Sequence, residues 1–302
     1  LNTNRLTYLY NFSVIIPHRN SISTLERAIL SIPNNPDIQI IIVDNSFIPL
    51  KVEDISIDRS FEILYSNYNL GAGGARNLGV RSALGKWLLF LDSDDHFDSS
   101  AFNVFYSYLH SDNEVIFCSQ AAFSSINSNS DRGNEYLRLN LDFIDKKISE
   151  NQLRYQYDAV CGKMISNDLV KKYRILFDEI PSGNDVFFSL YVSFYATKIH
   201  CDSAIVYWVN EIPNSITKNR SSIFLESRFK VVLKKNKFLR ENGLKNYQLS
   251  VFIYLYKSIY HRKFLAFIRL IIKFRQNPFI GFSNWPITAF SLLKKNFLHK
   301  KN

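Results

Sequence analysis

Residues 69–95 read NLGAGGARNLGVRSALGKWLLFLDSDD, and this stretch decides the fold class. Its second half is an unbroken apolar run, Trp87 to Leu91, that ends in acids. A continuous run of this length suits a strand covered on both faces. Before it, Gly71 to Gly79 form a glycine-rich turn that opens a helix running through Ala83. The glycines do not follow G-x-G-x-x-G, and the turn stands too far along the chain for a dinucleotide fingerprint. A helix amino terminus with permissive glycines still suits an anion, and Arg76 in its first turn adds a charge-assisted contact. The plainer alternative is a turn whose arginine faces solvent.

Toward the start of the chain, FSVIIP (12–17), IQIIIVDNS (38–46) and FEILYSN (61–67) are further strands, and Ser21 or Ser23 caps a helix through ERAILS. Downstream, EVIFCSQAAF (114–123) and KIHCDSAIVYWVN (198–210) read as strands, and 161–173 and 181–196 as helices. Residues 124–156, polar and weakly periodic, are expected to form a long loop or insertion over the site. Alternating strands and helices call for an α/β fold, a mainly parallel sheet flanked by helices, with ligands at the carboxyl ends of the strands. Those ends carry Pro17-His18-Arg19, Asp44-Asn45-Ser46 and Asp92-Ser93-Asp94-Asp95, so polar groups converge on one edge.

Asp92 and Asp94 are two residues apart, which puts both carboxylates on one side of an extended segment. Such a pair suits Mn2+ or Mg2+, hard ions that take oxygen ligands, keep several waters and bridge to a diphosphate. An isolated D-x-D reads more readily as an acidic turn capping the next helix. The buried strand before this one tips the balance toward a ligand site. Asp185, after Gly183-Asn184 and before Val186-Phe187-Phe188, is a carboxylate at a helix start beside an apolar wall. It suits a general base with a raised pKa, or equally a helix-dipole partner with no chemistry. His18, His96 and His200 stand apart from one another and from any nucleophile, and read as incidental. Cys118, Cys161 and Cys201 form no C-x-x-C pair, so a zinc knuckle or disulfide scaffold is not expected.

At 302 residues and 46% hydrophobic, the chain has enough material for a large core. Its charge of +10 is uneven. Residues 228–302 hold 17 Lys and Arg against the single acid Glu241, so the preceding part is mildly acidic. The division expected is a catalytic domain over 1–220 and a basic helical C-terminal region over 221–302, with helical periodicity from 222 to 275. A basic helix filled with aromatic and aliphatic residues suits either an interfacial element on anionic lipid or a cap on the catalytic body. Trp285 and KKNFLHKK near the end add aromatic and basic anchors. The uncharged stretch 276–293 is broken by Pro278, Gly281 and Pro286 and is not expected to span a membrane. No apolar secretory core opens the sequence, so a cytoplasmic protein is expected. Nucleic acid is not an expected partner, because no RNP, KH or zinc-finger signature accompanies the basic residues.

Together these segments resemble the family 2 glycosyltransferases with the GT-A (nucleotide-diphospho-sugar transferase) fold. FSVIIPHRN is similar to that family's opening strand, IIIVDNS to its nucleotide-contact strand, residues 69–95 to its most recognisable stretch and GNDVFFSL to its acidic catalytic motif. The resemblance covers roughly residues 12 to 210. It implies that Pro17 lines a base pocket and that Asp44 contacts uracil or ribose. By the same resemblance Arg76 and Ser93 lie on the donor side, Asp92 faces ribose and metal, and Asp94 is the principal ligand of Mn2+ or Mg2+. Asp185 would deprotonate the acceptor hydroxyl, with Asp178 and Glu179 as competitors. His18, Asn45 and Asn184 depart from the family's usual threonine, aspartate and glutamate.

The function implied is an inverting, metal-dependent hexosyl transfer from a nucleotide-sugar donor, a UDP-hexose, to a hydroxyl of a growing glycan. The acceptor expected is a lipid-linked O-antigen, capsule or lipooligosaccharide precursor at the inner face of the cytoplasmic membrane. Alternatives are a protein glycosyltransferase, a nucleotidyltransferase acting on sugar phosphates, and a non-catalytic protein that binds lipid or nucleic acid through its tail.

Overall fold

β1 (Tyr10–His18) lies inside a sheet: its Phe12, Val14, Ile15 and Ile16 are wholly buried. Side chains alternate between the faces of a strand, so burial on successive residues means that both faces are covered. After α1 (Ile22–Leu30), β2 (Ile38–Asp44) is buried at every position and pairs parallel with β1, setting His18 opposite Asp44. β3 (Glu62–Tyr65) extends the parallel set beyond β2. α2 (Gly71–Ser82) returns the chain to β4 (Gly85–Phe90), which pairs parallel with β1 on its other side. Gly79 is what lets α2 lie close to the sheet, because a Cβ there would meet Ile15 and Val43 side chains. The computed structural model describes residues 8–123, 134–210 and 221–250, with residue 268. Two compact units divide the chain, Leu1–Lys218 and Asn219–Asn302.

The first unit continues with β5 (His96–Phe97), α3 (Ala101–Ser107), β6 (Val115–Phe123), α4 (Asn134–Ile144) and α5 (Glu150–Gln156). It ends with β7 (Lys163–Ser166), α6 (Asn167–Tyr173), α7 (Val186–Tyr195) and β8 (Ile199–Asn210). All eight strands join one sheet in the order β3-β2-β1-β4-β7-β6-β8-β5. β7 runs antiparallel to both β4 and β6, and β5 antiparallel to β8, so the sheet is mixed and mostly parallel.

Four local expectations change. Residues 161–173 are not one helix: Gly162, at φ 72°, turns the chain into β7, and α6 starts only after Ser166, whose hydroxyl accepts from the Leu169 amide. The gap between β4 and β6 needs a strand, and that overrides the local pattern. Residues 124–156 are not a continuous loop, since α4 and α5 occupy much of them. Ser149 and Gln152 start α5 with reciprocal side-chain to backbone bonds, and Asn140 of α4 reaches Ser119 of β6. Residues 124–133 lie outside the described part. The glycine-rich stretch is itself helical from Gly71 onward. The helix expected at 181 begins at Val186.

Two of the aromatic clusters in the core lie on opposite faces of the sheet. Phe12, Phe97, Phe102 and Phe105 meet largely edge to face between β1, β5 and α3. On the other side, Phe177 stacks on Phe188 at 4.0 Å, and Phe90 meets both rings edge-on. This second cluster ties the segment before α7 to β4, and truncating Phe90 to Ala is expected to cost about 3–5 kcal/mol.

In the second unit, α8 (Ser222–Glu241) carries buried Phe229, Val232 and Leu239 along with Arg228, Lys230, Lys234, Lys237 and Arg240. Asn236 closes against Leu249 through both of its amide atoms, at 2.7 and 2.8 Å. Among the described residues no helix is long and apolar enough to cross a membrane. The basic helix expected through Arg275, the 276–293 stretch, Trp285 and the terminal KKNFLHKK lie outside the described residues, apart from the segment up to 250 and residue 268.

Candidate active site

The sheet register brings three strand ends to one edge. Pro17 is half-buried at the end of β1, and the next residue, His18, is buried with its Nδ1 3.0 Å from Asp44 Oδ1. Asp44 is only 2% exposed. The chain after β2 folds back over it, so that Ser46 donates to Oδ1 from its hydroxyl (2.6 Å) and amide (3.2 Å), and Leu50 N–H donates to Oδ2 at 2.8 Å. Burial works against this charge, but the bonds from Ser46, Leu50 and His18 outweigh it and hold the carboxyl below its ordinary range. Asn45 is buried beside it and donates to Ser66 Oγ and Asn67 O.

At the end of β4 the ladder runs one residue further, Leu91 N–H donating to Ile15 O, and then the chain turns with Asp95 N–H on Asp92 O. Asp92, Ser93 and Asp94 are half-buried on this turn and Asp95 is buried. Carboxylate oxygens of Asp92, Asp94 and Asp95 come within 4.8 Å of one another. Asp95 is held from β8, with Tyr207 Oη donating to Oδ2 at 2.7 Å and Asn210 N–H to Oδ1 at 2.7 Å. Tyr207 Oη also accepts from the Asp92 amide at 3.1 Å. Burial, and then the charges of Asp92 and Asp94, push the Asp95 carboxyl well above the usual range. A crowded set of oxygens with two half-buried members fits a hard divalent cation that keeps part of its water. Arg27 of α1 steadies the turn from outside by donating to the Asp94 carbonyl.

Arg76 connects this turn to the opposite wall. It is 6% exposed, pairs with Asp92 through Nη2 and donates from Nη1 to Asn184 Oδ1 at 2.8 Å, while its Nε has no partner. Its guanidinium also lies over the Phe177 ring, 5.5 Å from the centroid. α2 presses directly on the segment it serves, since a Cβ at Gly73 would run into the Asp178 carbonyl. Asp185, next to Asn184, is the residue that starts α7, yet its carboxylate does not cap the helix. Burial raises the Asp185 carboxyl, the Arg76 charge opposes that rise, and Asp92 and Asp158 add to it. Burial and then the charges of Glu135, Asp158 and Asp185 push up the hydroxyl of Tyr136 of α4, whose ring stacks on Tyr157 at 4.3 Å.

The structure therefore links Asp92 at the end of β4 through Arg76 to Asn184, the residue before Asp185, and encloses Asp44 at the end of β2. Glu179 is exposed and accepts from Asn77 Nδ2 at 3.2 Å, and Asp178 N–H closes a loop onto Asn184 O. Sequence reasoning assigns no role to Asn77, Asn184 or Tyr207 and does not find the anchoring of Asp95. Asn184 had a signal, its place beside Asp185, while Tyr207 lay unmarked inside an apolar strand. Chemically, the acidic turn can hold a cation and the Asp185 carboxylate can accept a proton.

A family model described as glycosyl transferase family 2 matches residues 13–174. The cholesterol galactosyltransferase of Borreliella burgdorferi is 24% identical over 277 residues, covering 84% of this chain and 77% of that protein. The crystal structure of S. aureus TarS in complex with UDP-GlcNAc superimposes with a TM-score of 0.58 at 17% identity, covering 78% of this chain and 72% of the other. The mannosyltransferase PcManGT from Pyrobaculum calidifontis, in complex with GDP-Man and Mn2+, gives a TM-score of 0.55 at 11% identity, covering 98% of this chain and 82% of the other.

Proposed function

The chain belongs to glycosyl transferase family 2 and has the GT-A fold, and from that premise we propose that it catalyses an inverting hexosyl transfer from a UDP-sugar. The acceptor is a hydroxyl on a lipid-linked surface-glycan precursor. The observation that carries this is the single guanidinium of Arg76, which pairs with Asp92 on one side and with Asn184, the neighbour of Asp185, on the other. An acid pair suited to a cation that would neutralise a diphosphate and an acid suited to a proton are thus tied to one side chain.

In this reading Asp94 and Asp92 hold Mn2+ or Mg2+, and the cation supplies charge neutralisation on the departing diphosphate. Pro17 and Ser93 line the donor side. Asp44 acts there by fixing His18 and the 46–50 turn as a rigid wall, because its own oxygens are taken up inside the protein. Arg76 orients Asp92 and lends positive charge to the diphosphate. Asp185 accepts the acceptor's hydroxyl proton as that oxygen bonds to the anomeric carbon, and the bond from that carbon to the diphosphate oxygen breaks. One in-line displacement inverts the centre.

A membrane-linked acceptor is supported by the similar galactosyltransferase, which by its name acts on cholesterol, and by the concentration of basic residues after 228. Peripheral attachment to the inner face of the cytoplasmic membrane follows from the same charge, and loss of binding to anionic liposomes at high salt would support it. The deciding experiment titrates UDP, GDP, dTDP and CDP by calorimetry with and without Mn2+, and identifies the product released from the matching sugar donor. Metal-dependent binding of UDP, lost in Asp94→Ala, with UDP released on turnover, is the expected result. Pyrophosphate release from sugar phosphate and nucleoside triphosphate would replace this reading with nucleotidyl transfer.

A further inference from the structure

Asn77 follows Arg76 on α2 and is 2% exposed. Its hydrogen bonds go neither to Asp44 nor to the acids at 92–95. Instead its carboxamide is matched to one residue of the facing segment: Nδ2 donates to Phe177 O at 3.0 Å and Oδ1 accepts from Phe177 N–H at 2.7 Å. The second Nδ2 hydrogen reaches Glu179 Oε1 at 3.2 Å. The side chain thus does what a neighbouring strand would do, satisfying both buried backbone groups of a segment that has no strand beside it. An unpaired buried peptide group is expensive, so the segment is held at this height against α2 and at no other.

The rest of the segment is fixed to the same helix. Asp178 lies against Gly73, and Asn184 takes the Arg76 hydrogen bond. The loop between them is closed by Asp178 N–H on Asn184 O at 3.2 Å. Asp185 is the next residue. We propose that Asn77 is a positioning residue for Asp185: through Phe177 it sets where the 177–185 segment stands relative to Asp92 and Asp94. The stretch that reads in sequence as a phosphate-binding turn is, in this proposal, the rail on which the proton-accepting loop rests. The proposal rests on Asp185 as the base.

The test uses the full-length chain and compares Asn77→Ala and Asn77→Asp with wild type. Aspartate keeps the acceptor for the Phe177 amide and loses the donor. Amide hydrogen exchange without ligand reads the loop, calorimetry with UDP and Mn2+ reads the donor side, and nucleoside diphosphate release reads turnover. Asn77→Ala is expected to speed exchange across 177–185 roughly tenfold with β1 and β4 unchanged, to leave UDP affinity within about twofold, and to lower kcat roughly tenfold to a hundredfold at little change in donor KM. Asn77→Asp, which sets a carboxylate against the Phe177 carbonyl and Glu179, is expected to loosen the loop at least as much. Unchanged exchange at 177–185, or a loss of UDP affinity as large as the loss of kcat, would overturn the proposal. Should Asn77→Ala not fold, Asn77→Asp carries the same three readouts. A wild-type chain that releases no nucleoside diphosphate from any donor would sink the transferase reading, and the exchange arm would then decide on its own whether Asn77 holds the loop.

Discussion

β2 and β4 flank β1 symmetrically, and each ends in aspartate at the same edge of the sheet, but the two ends are built oppositely. After β2 the chain curls back, and three donors from Ser46 and Leu50 close on Asp44 together with His18. After β4 the chain turns, β8 takes up Asp95, and Asp92 and Asp94 stay half-buried, with Arg76 pairing to Asp92. The comparison teaches that a carboxylate at a strand end is not made functional by its position. What decides is where the nearest N–H and O–H groups go. Donors folded onto Asp44 hold it inside the protein, whereas Asp92 takes one side-chain donor, Arg76, and stays partly exposed.

The largest effect expected from this contrast is at Asp185. Asp185→Asn should lower turnover roughly 10^2- to 10^4-fold while UDP affinity in Mn2+ stays near wild type, as single-turnover and calorimetric measurements would read. Near-normal turnover would remove Asp185 from the open set. Next, Asp94→Ala should cost on the order of 10^2- to 10^3-fold in turnover and abolish the Mn2+ dependence of UDP binding, with the melting temperature little changed. An equal loss of UDP binding in Asp44→Asn, at unchanged stability, would break the distinction between the two strand ends.

A third and smaller effect concerns pH. As the proposed base, Asp185 must be ionised to accept a proton, so activity is expected to fall as pH drops through its pKa, which burial raises from its ordinary value. The Arg76 charge restrains the rise. Arg76→Gln should therefore move the acid limb of kcat to higher pH, and a limb that stays in place or moves down would show that Arg76 does not act on Asp185.

Much of this arrangement is legible in the sequence where the signal is local. Apolar runs that end in Pro17, Asp44 and Asp92 announce strands and their carboxyl edge without any tertiary knowledge, because burial on both faces keeps the runs apolar except for Ser13 and Gln39, which bond to each other. β7 is not legible in this way. Its Lys163 would argue against a buried strand, yet it is 1% exposed, with Nζ donating to Tyr157 O at 2.7 Å over the rings of Phe117 and Tyr157. The tie between Asn77 and Phe177 joins residues 100 apart, and nothing at either position marks the other. Arg76 reads from sequence as an anion contact at a helix start, and its real partners, Asp92 and Asn184, come from a strand end and a loop that only the fold brings together.

The smallest effect is the one that sharpens the comparison from the closed side. Asp44→Asn replaces a carboxylate oxygen by an amide that must face at least one of the donors now pointing at it. About 1–3 kcal/mol of stability should be lost at neutral pH, read by urea denaturation. The pH dependence fixes the sign. Because the folded-state pKa lies below the unfolded value of about 3.9, the ionised Asp44 contributes its full stabilisation above that value and loses it as pH falls toward the folded pKa. The gap between wild type and Asp44→Asn should therefore be constant from neutral pH to about 5 and narrow below about 4. A gap that widened in acid would mean that Asp44 is held protonated, and the end of β2 would then be no charged wall at all.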